Sequence, residues 1–169
     1  MTNNERQDEM GEKTVSQSKV EIAQLMFPFD ANPSGNVYGG TIMKLIDTAA
    51  GIVAQRHCRT NVVTASMDRL DFHQPVFVGE LVILRASVNY VGHTSLEIGV
   101  RVEAENLTTG EIRHTNSAYL TMVSLDKDRK PAPVPRIVPH TEDEKRRYEE
   151  GRIRAQHRKE LRKRRLGDV

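Results

Sequence analysis

The stretch GNVYGGTIMKLIDTAAGIVAQRH, residues 35–57, decides how this chain is read. It begins with a turn-like GN and a Gly39-Gly40 pair, then runs through apolar residues with one carboxylate among them. Ile42, Leu45, Ile46, Ala49, Ala50, Ile52 and Val53 cover most of a helical circumference. The spacing therefore predicts a helix from about Gly40 to Arg56, buried rather than lying on a surface. Lys44, Asp47, Thr48 and Gly51 follow one another at steps of three and four and form a narrow polar or small stripe. Asp47 is an acid in the middle of a segment that otherwise reads as core.

The flanks have a different character. Before the helix, KVEIAQLM (19–26) alternates in the manner of a strand, and FPFDANPSGN (27–36) is loop, broken by two prolines, Asn32, Ser34 and Gly35. After it come four β-like stretches: 61–72, 80–91, 95–106 and 112–125. The third alternates cleanly, with Leu96, Ile98, Val100 and Val102 against Glu97, Gly99, Arg101 and Glu103. Short connections at 78–79, 92–94 and 107–111 predict consecutive antiparallel strands. The expected fold class is α+β: one long buried helix against a five-stranded antiparallel sheet. Residues 1–17 read as a disordered lead-in, 18–129 as the globular domain and 130–140, with four prolines in the ten residues 130–139, as an extended linker. Residues 141–169 read as a charged helix, capped by Thr141 and Glu144.

Charge and composition exclude several functions. The 169 residues are 37% hydrophobic and 28% charged, with a formal net charge of +2. Residues 142–169 hold 11 Lys/Arg and 7 Asp/Glu, a balance of +4, which leaves −2 on the remainder. The globular part is thus no basic platform for nucleic acid, and the mixed signs of the tail suit a solvated helix. No apolar run is long enough for a membrane helix, and the polar N-terminus lacks a secretory signal's apolar centre. A single cysteine, Cys58, cannot form an internal disulfide. A cytoplasmic location without membrane or nucleic-acid partners is expected. Six histidines without metal-ligand spacing predict no metal.

The motifs narrow this further. GNVYGGTIMKLID and the following AGIVAQRHCRTNVVTASMDRLDFHQPVFVGE resemble the acyl-coenzyme A hydrolases among the hotdog-fold thioesterases. VGHTSLEI, NSAYLTMVSLD and PVPRIVPHTEDEKRRYEEG resemble the carboxy-terminal half of the duplicated animal hydrolase of that group. The similarity spans roughly residues 15–155. It implies a hotdog fold and hydrolysis of acyl-CoA thioesters with no cofactor, CoA being part of substrate and product. It also implies a homodimer with active sites shared between protomers, assembling into a hexamer as a trimer of dimers. The family's catalytic asparagine and aspartate fall, by this resemblance, on Asn36 and Asp47.

Physical chemistry gives these positions roles. A thioester needs an activated water and donors for the oxyanion that forms. Amides at a helix start, at Gly39, Gly40 and Thr41, can supply the donors. Asp47 would activate water, and Asn36 would position the thioester. Asp47 lies roughly 10 Å along the helix axis from Gly40, too far for one small reacting group, so a second protomer would complete the site. Arg56, Arg59, Thr64, Ser66 and the turn Gly92-His93-Thr94-Ser95 are candidates for contacting CoA. Each has a structural alternative: an ion pair of Asp47 with Lys44, a turn role for Asn36, and sheet pairing for the hydroxyls. His57-Cys58 at a helix end reads as structural rather than nucleophilic, and His73 is set aside because it follows a strand. A non-catalytic acyl-CoA or CoA-binding module is the alternative function.

Overall fold

The computed structural model describes residue 7 and residues 9–167. In chain order it contains β1 (Glu12–Thr14), β2 (Val20–Leu25), α1 (Gly39–Cys58), β3 (Asn61–Phe72), β4 (Leu81–Val91), β5 (Ser95–Glu105), β6 (Ile112–Leu125), β7 (Arg136–Val138) and α2 (Glu142–Gly167). The main sheet has the order β2-β4-β5-β6-β3, with every pairing antiparallel. The sheet carries α1 on one face, the hotdog arrangement expected above.

The helix sits there because Ile42, Ile46, Ala49, Ala50, Val53 and Ala54 recur at helical spacing and are all at most 2% exposed. They meet Leu84, Val88, Leu96, Ile98, Val102 and Leu120 from the inner face of the sheet. Each fully buried Ile, Val or Leu side chain contributes about 1.5–3 kcal/mol, so this seam accounts for much of the domain's stability. The helix ends where Arg59 takes a left-handed conformation (φ 58°) and its N–H bonds the Gln55 carbonyl.

Three expectations need correction. The helix is not buried all round: Met43 and Ile52 are 44% and 38% exposed, and Lys44, Asp47 and Thr48 lie on the same open side. Apolar residues on both faces suggested complete burial, but one sheet can cover only one face. Second, β3 does not neighbour β4. It pairs with β6 at the far edge, so residues 73–80 cross the sheet instead of closing a hairpin. Third, order begins before residue 18. β1 pairs in parallel with β7, matching Glu12 to Arg136 and Thr14 to Val138, and Val15 is buried. Backbone pairing, invisible to composition, holds this polar segment; residues 1–6 and 8 lie outside the described residues.

In the proline-rich segment the Ala132 N–H bonds Ser124 O and the Val134 N–H bonds His93 O. Helix α2 begins with the predicted capping box between Thr141 and Glu144. It docks on the outer face of the sheet through a charged centre rather than an apolar stripe. Glu97, with a fully buried side chain, accepts from Arg154 Nη2 at 2.7 Å and Arg158 Nη1 at 3.2 Å. Gly151 permits this approach, since a Cβ there would lie 2.8 Å from Tyr90 Cβ.

Candidate active site

The loop before α1 is built by short-range hydrogen bonds from its turn-forming residues. Asn32 Oδ1 accepts the Ser34 N–H at 2.9 Å and the Asn36 N–H at 3.3 Å, while Asn32 N–H donates to Asn36 O at 2.7 Å. Using Oδ1 inside the turn leaves the Asn32 amide NH₂ for outside partners. Asp30 closes the preceding turn by accepting the Phe27 N–H at 2.9 Å. Asn36 forms an isolated bridge with Phe77.

Helix α1 then starts without a side-chain cap. The N–H groups of Thr41 and Ile42 donate to Tyr38 O at 3.0 and 3.3 Å. Those of Gly39 and Gly40 have no acceptor among the described residues. A helix start with two unpaired amides is a site for developing negative charge. The candidate oxyanion donors narrow to Gly39 and Gly40, because the Thr41 amide is occupied. At Gly39 an added Cβ would meet Phe72 Cζ at 3.3 Å, so the glycine lets strand β3 close over the helix start.

Asn32, Asn36, Gly39, Phe72 and His73 line one cleft of about 260 Å³. His73, set aside on sequence, lies in this cleft because β3 runs back past the start of α1; its ring is 5.3 Å from that of His114. Asn32, read in the sequence only as a loop breaker, shares the cleft with Asn36. The signal that could have found it was its position in a turn, two residues before Ser34 and four before Asn36.

Asp47 is not in this cleft. It lies eight residues beyond Gly39, about 12 Å along the axis, on the exposed side of α1. Its Oδ1 accepts a 2.6 Å hydrogen bond from Thr64 Oγ1. No ion pair joins it to Lys44 among the described residues. Thr64 belongs to β3, whose outer edge pairs with no other described strand. Ser66, two residues on, is within 3.3 Å of Asp68 Oδ1.

The other candidates are dispersed. Arg56 is engaged by the carbonyls of Lys19 (3.0 Å) and Gln17 (3.4 Å). The carbonyls of the Gly92–Ser95 turn are engaged from three places: Gln7 Nε2 donates to Gly92 O, the Val134 N–H of the proline-rich segment to His93 O, and the Ser124 N–H of β6 to Thr94 O. Both ring nitrogens of His93 are buried without a partner. Burial pushes the Cys58 thiol up to about 12 and holds the His57 imidazole below its ordinary range, with His57 Nε2 against Pro135 O at 2.9 Å. A thiol held protonated is a poor nucleophile, in keeping with a structural pair. Among the described residues no three His, Cys, Asp or Glu groups are placed to hold a metal ion, and no helix is long and apolar enough to cross a membrane.

Comparison with known proteins places this geometry. Residues 34–111 match the thioesterase superfamily. The chain is 43% identical over 143 residues to the cytosolic acyl coenzyme A thioester hydrolase of Rattus norvegicus, covering 83% of this chain but spanning only 38% of that relative's length. It is 45% identical over 128 residues to an uncharacterized acyl-CoA thioester hydrolase of Bacillus subtilis, covering 76% of this chain and 74% of that one. An acyl-CoA hydrolase from Staphylococcus aureus, solved with butyryl-CoA, CoA and CoA disulfide, superposes with a TM-score of 0.86 at 34% identity, covering 93% and 96% of the two chains. A match of this extent to both sequence and fold makes the chain a member of the acyl-CoA thioester hydrolase family of the thioesterase superfamily.

Proposed function

We propose that this protein hydrolyses acyl-CoA thioesters to the free acid and CoA at a site completed by two protomers. The observation that carries this reading is the pair of unpaired amides, Gly39 and Gly40, at a helix start whose cleft lacks the acid. Water, deprotonated by the Asp47 carboxylate, attacks the thioester carbonyl carbon. The oxyanion is held by the Gly39 and Gly40 amides of the other protomer. Collapse breaks the C–S bond, and the proton taken by Asp47 passes to the departing thiolate. Thr64 holds the Asp47 carboxylate in place through its hydroxyl hydrogen bond.

The asparagine in this scheme is Asn32 rather than Asn36. The staphylococcal hydrolase has been solved as alanine variants at an asparagine, at an aspartate 15 residues later and at a threonine 17 residues after that. Asn32, Asp47 and Thr64 have these same separations, whereas Asn36 does not. The turn engages the Asn32 Oδ1, which leaves its amide NH₂ to donate to the carbonyl or the water. Asn36 supports it from the same turn.

Assembly follows from the open surfaces. The exposed side of α1 with Met43, Asp47 and Ile52 adjoins the unpaired β3 edge, and a two-fold copy would cover both. An acyl-CoA thioesterase 41% identical to this chain was solved as an apo hexamer, which supports a trimer of such dimers here. A cytosolic location accords with the name of the rat relative. Release of thiol from a series of acyl-CoA chain lengths tests the activity. If no chain length is turned over while CoA still binds, the non-catalytic module replaces this reading.

A further inference from the structure

Strand β3 does not run evenly. Its register against β6 shifts between Thr64 and Ser66 and again between Met67 and Arg69, so Ala65 and Asp68 stand opposite no partner residue. A regular strand returns a side chain to the same face every second residue. Here Val62, Met67 and Leu70 pack against the core and Thr64 bonds Asp47 on α1, so the inner face advances by two, three and three residues. Each bulge supplies one of the extra residues. Counted back from Met67 at a regular step of two, the inner face would take Ala65 and Val63. Thr64 would then point to the outer face, away from Asp47.

The outer side of the bulged stretch is held from α2. Glu97 of β5, Thr121 of β6 and Ser66 of β3 form one row across the sheet. Arg158 bridges this row. Its Nη1 lies 3.2 Å from Glu97 Oε2 and also pairs with Asp68 Oδ2. The other oxygen of Asp68 accepts from Ser66 Oγ at 3.3 Å. The Glu97 side chain is fully buried, and those of Arg158 and Asp68 are only 23% and 20% exposed. Charged hydrogen bonds so shielded from water are stronger than those of open surface pairs. Arg154, four residues earlier, pairs with the same Glu97 but lies over the Tyr119 ring at 3.9 Å, on β6. Arg158 thus carries the hold of α2 out to the edge strand.

An edge strand with interrupted pairing is prone to slip, and a slip of one residue turns every side chain to the other face. Among the described strands β3 pairs with β6 alone. We propose that Arg158 is a positioning residue for hydrolysis: by fixing the bulged Asp68 to the buried Glu97, it holds β3 in the register that aims Thr64 at Asp47. It acts through β3 and not on the substrate. This rests on the reading of Asp47 and Thr64 above and gives the charged helix α2 a part in the activity.

The test sets Arg158→Ala against Arg154→Ala. Both take a cation from Glu97, but Arg158→Ala also releases Asp68. Arg158→Ala, and Asp68→Ala from the strand side, are expected to lower kcat for an acyl-CoA about tenfold, within what a misplacement of about 1 Å costs, with KM unchanged. Arg158→Lys, which keeps a cation within reach of both carboxylates, should recover most of this loss. Arg154→Ala, which also weakens the docking of α2, should keep its kcat. In a Thr64→Val background Arg158→Ala should cost nothing further, because the contact that it positions is already gone. Full kcat in Arg158→Ala, a loss that falls on KM, an equal loss of kcat in Arg154→Ala, or an undiminished loss in the Thr64→Val background would overturn the proposal. If the wild type turns over no acyl-CoA, or Thr64→Val is fully active, the catalytic reading fails by itself. Hydrogen exchange over residues 61–72 then decides the clamp: faster exchange in Arg158→Ala than in Arg154→Ala supports it, and equal exchange overturns it.

Discussion

Replacing Thr64 by valine removes one hydroxyl and almost nothing else. The lost contacts are the 2.6 Å hydrogen bond to Asp47 Oδ1 and a weak 3.4 Å approach to Met122 Sδ. A hydrogen bond to an ionised group contributes about 1.5–3 kcal/mol, equivalent to a rate factor of about 10 to 150. Solvent would push the effect to the low end if the pair stayed open, as it is in a single chain. In the proposed dimer a partner protomer covers the β3 edge and excludes that solvent, so a loss of several tens-fold in kcat is expected for Thr64→Val. Asp47→Asn should lose on the order of 10²-fold or more, the scale of a removed general base. The two changes share one interaction, so the double variant should be hardly worse than Asp47→Asn alone. Steady-state thiol release with a saturating acyl-CoA reads all three. Full kcat in Thr64→Val, or losses that multiply independently, would refute the placing of Asp47 by Thr64.

Three further expectations concern other parts of the molecule. Asn32→Ala should lower kcat by about 10²-fold, within the range for a group acting on the transition state, and Asn36→Ala by far less; the opposite order in the same assay would restore Asn36 to the catalytic position. Glu97→Gln removes the buried charge between Arg154 and Arg158, which keep Glu150 and Asp68 as partners; the lost charge-assisted hydrogen bonds are a loss of about 1.5–3 kcal/mol and should lower Tm by about 5 °C in a thermal scan, whereas an unchanged Tm would mean that α2 is held by other contacts. Cys58 is buried and has its thiol pushed up to about 12, so it is held protonated in the neutral range. Native protein at pH 8 should not react with a disulfide reagent that labels the unfolded chain, and rapid native labelling would contradict this burial.

Much of the fold was legible because its signals are local. The alternation of Leu96, Ile98, Val100 and Val102 marks a strand with one buried face, and all four are at most 3% exposed. The position of β3 was not legible, since a strand's neighbours are chosen by crossovers such as 73–80 and not by the strand's own pattern. The exposed side of α1 was misread for a related reason. Met43 and Ile52 are apolar like core residues, yet they lie on the side of α1 that the sheet does not cover. At the site, Asp47 stood out as an acid among apolar neighbours, whereas Asn32 looked like ordinary turn chemistry. The turn in fact engages its carbonyl and leaves its amide available. The docking of α2 escaped detection because a buried carboxylate with two arginines, unlike an apolar stripe, leaves no periodic trace.

A mixing experiment tests the sharing of the site most directly. Asp47→Asn and Asn32→Ala, each inactive alone, are co-expressed with different tags and allowed to pair at random. In a two-fold dimer each mixed pair has one site carrying both changes and one site carrying neither. With half the dimers mixed and one of two sites intact in each, activity should return to about a quarter of wild type. Activity no greater than that of the separate variants would contradict a site built from two chains.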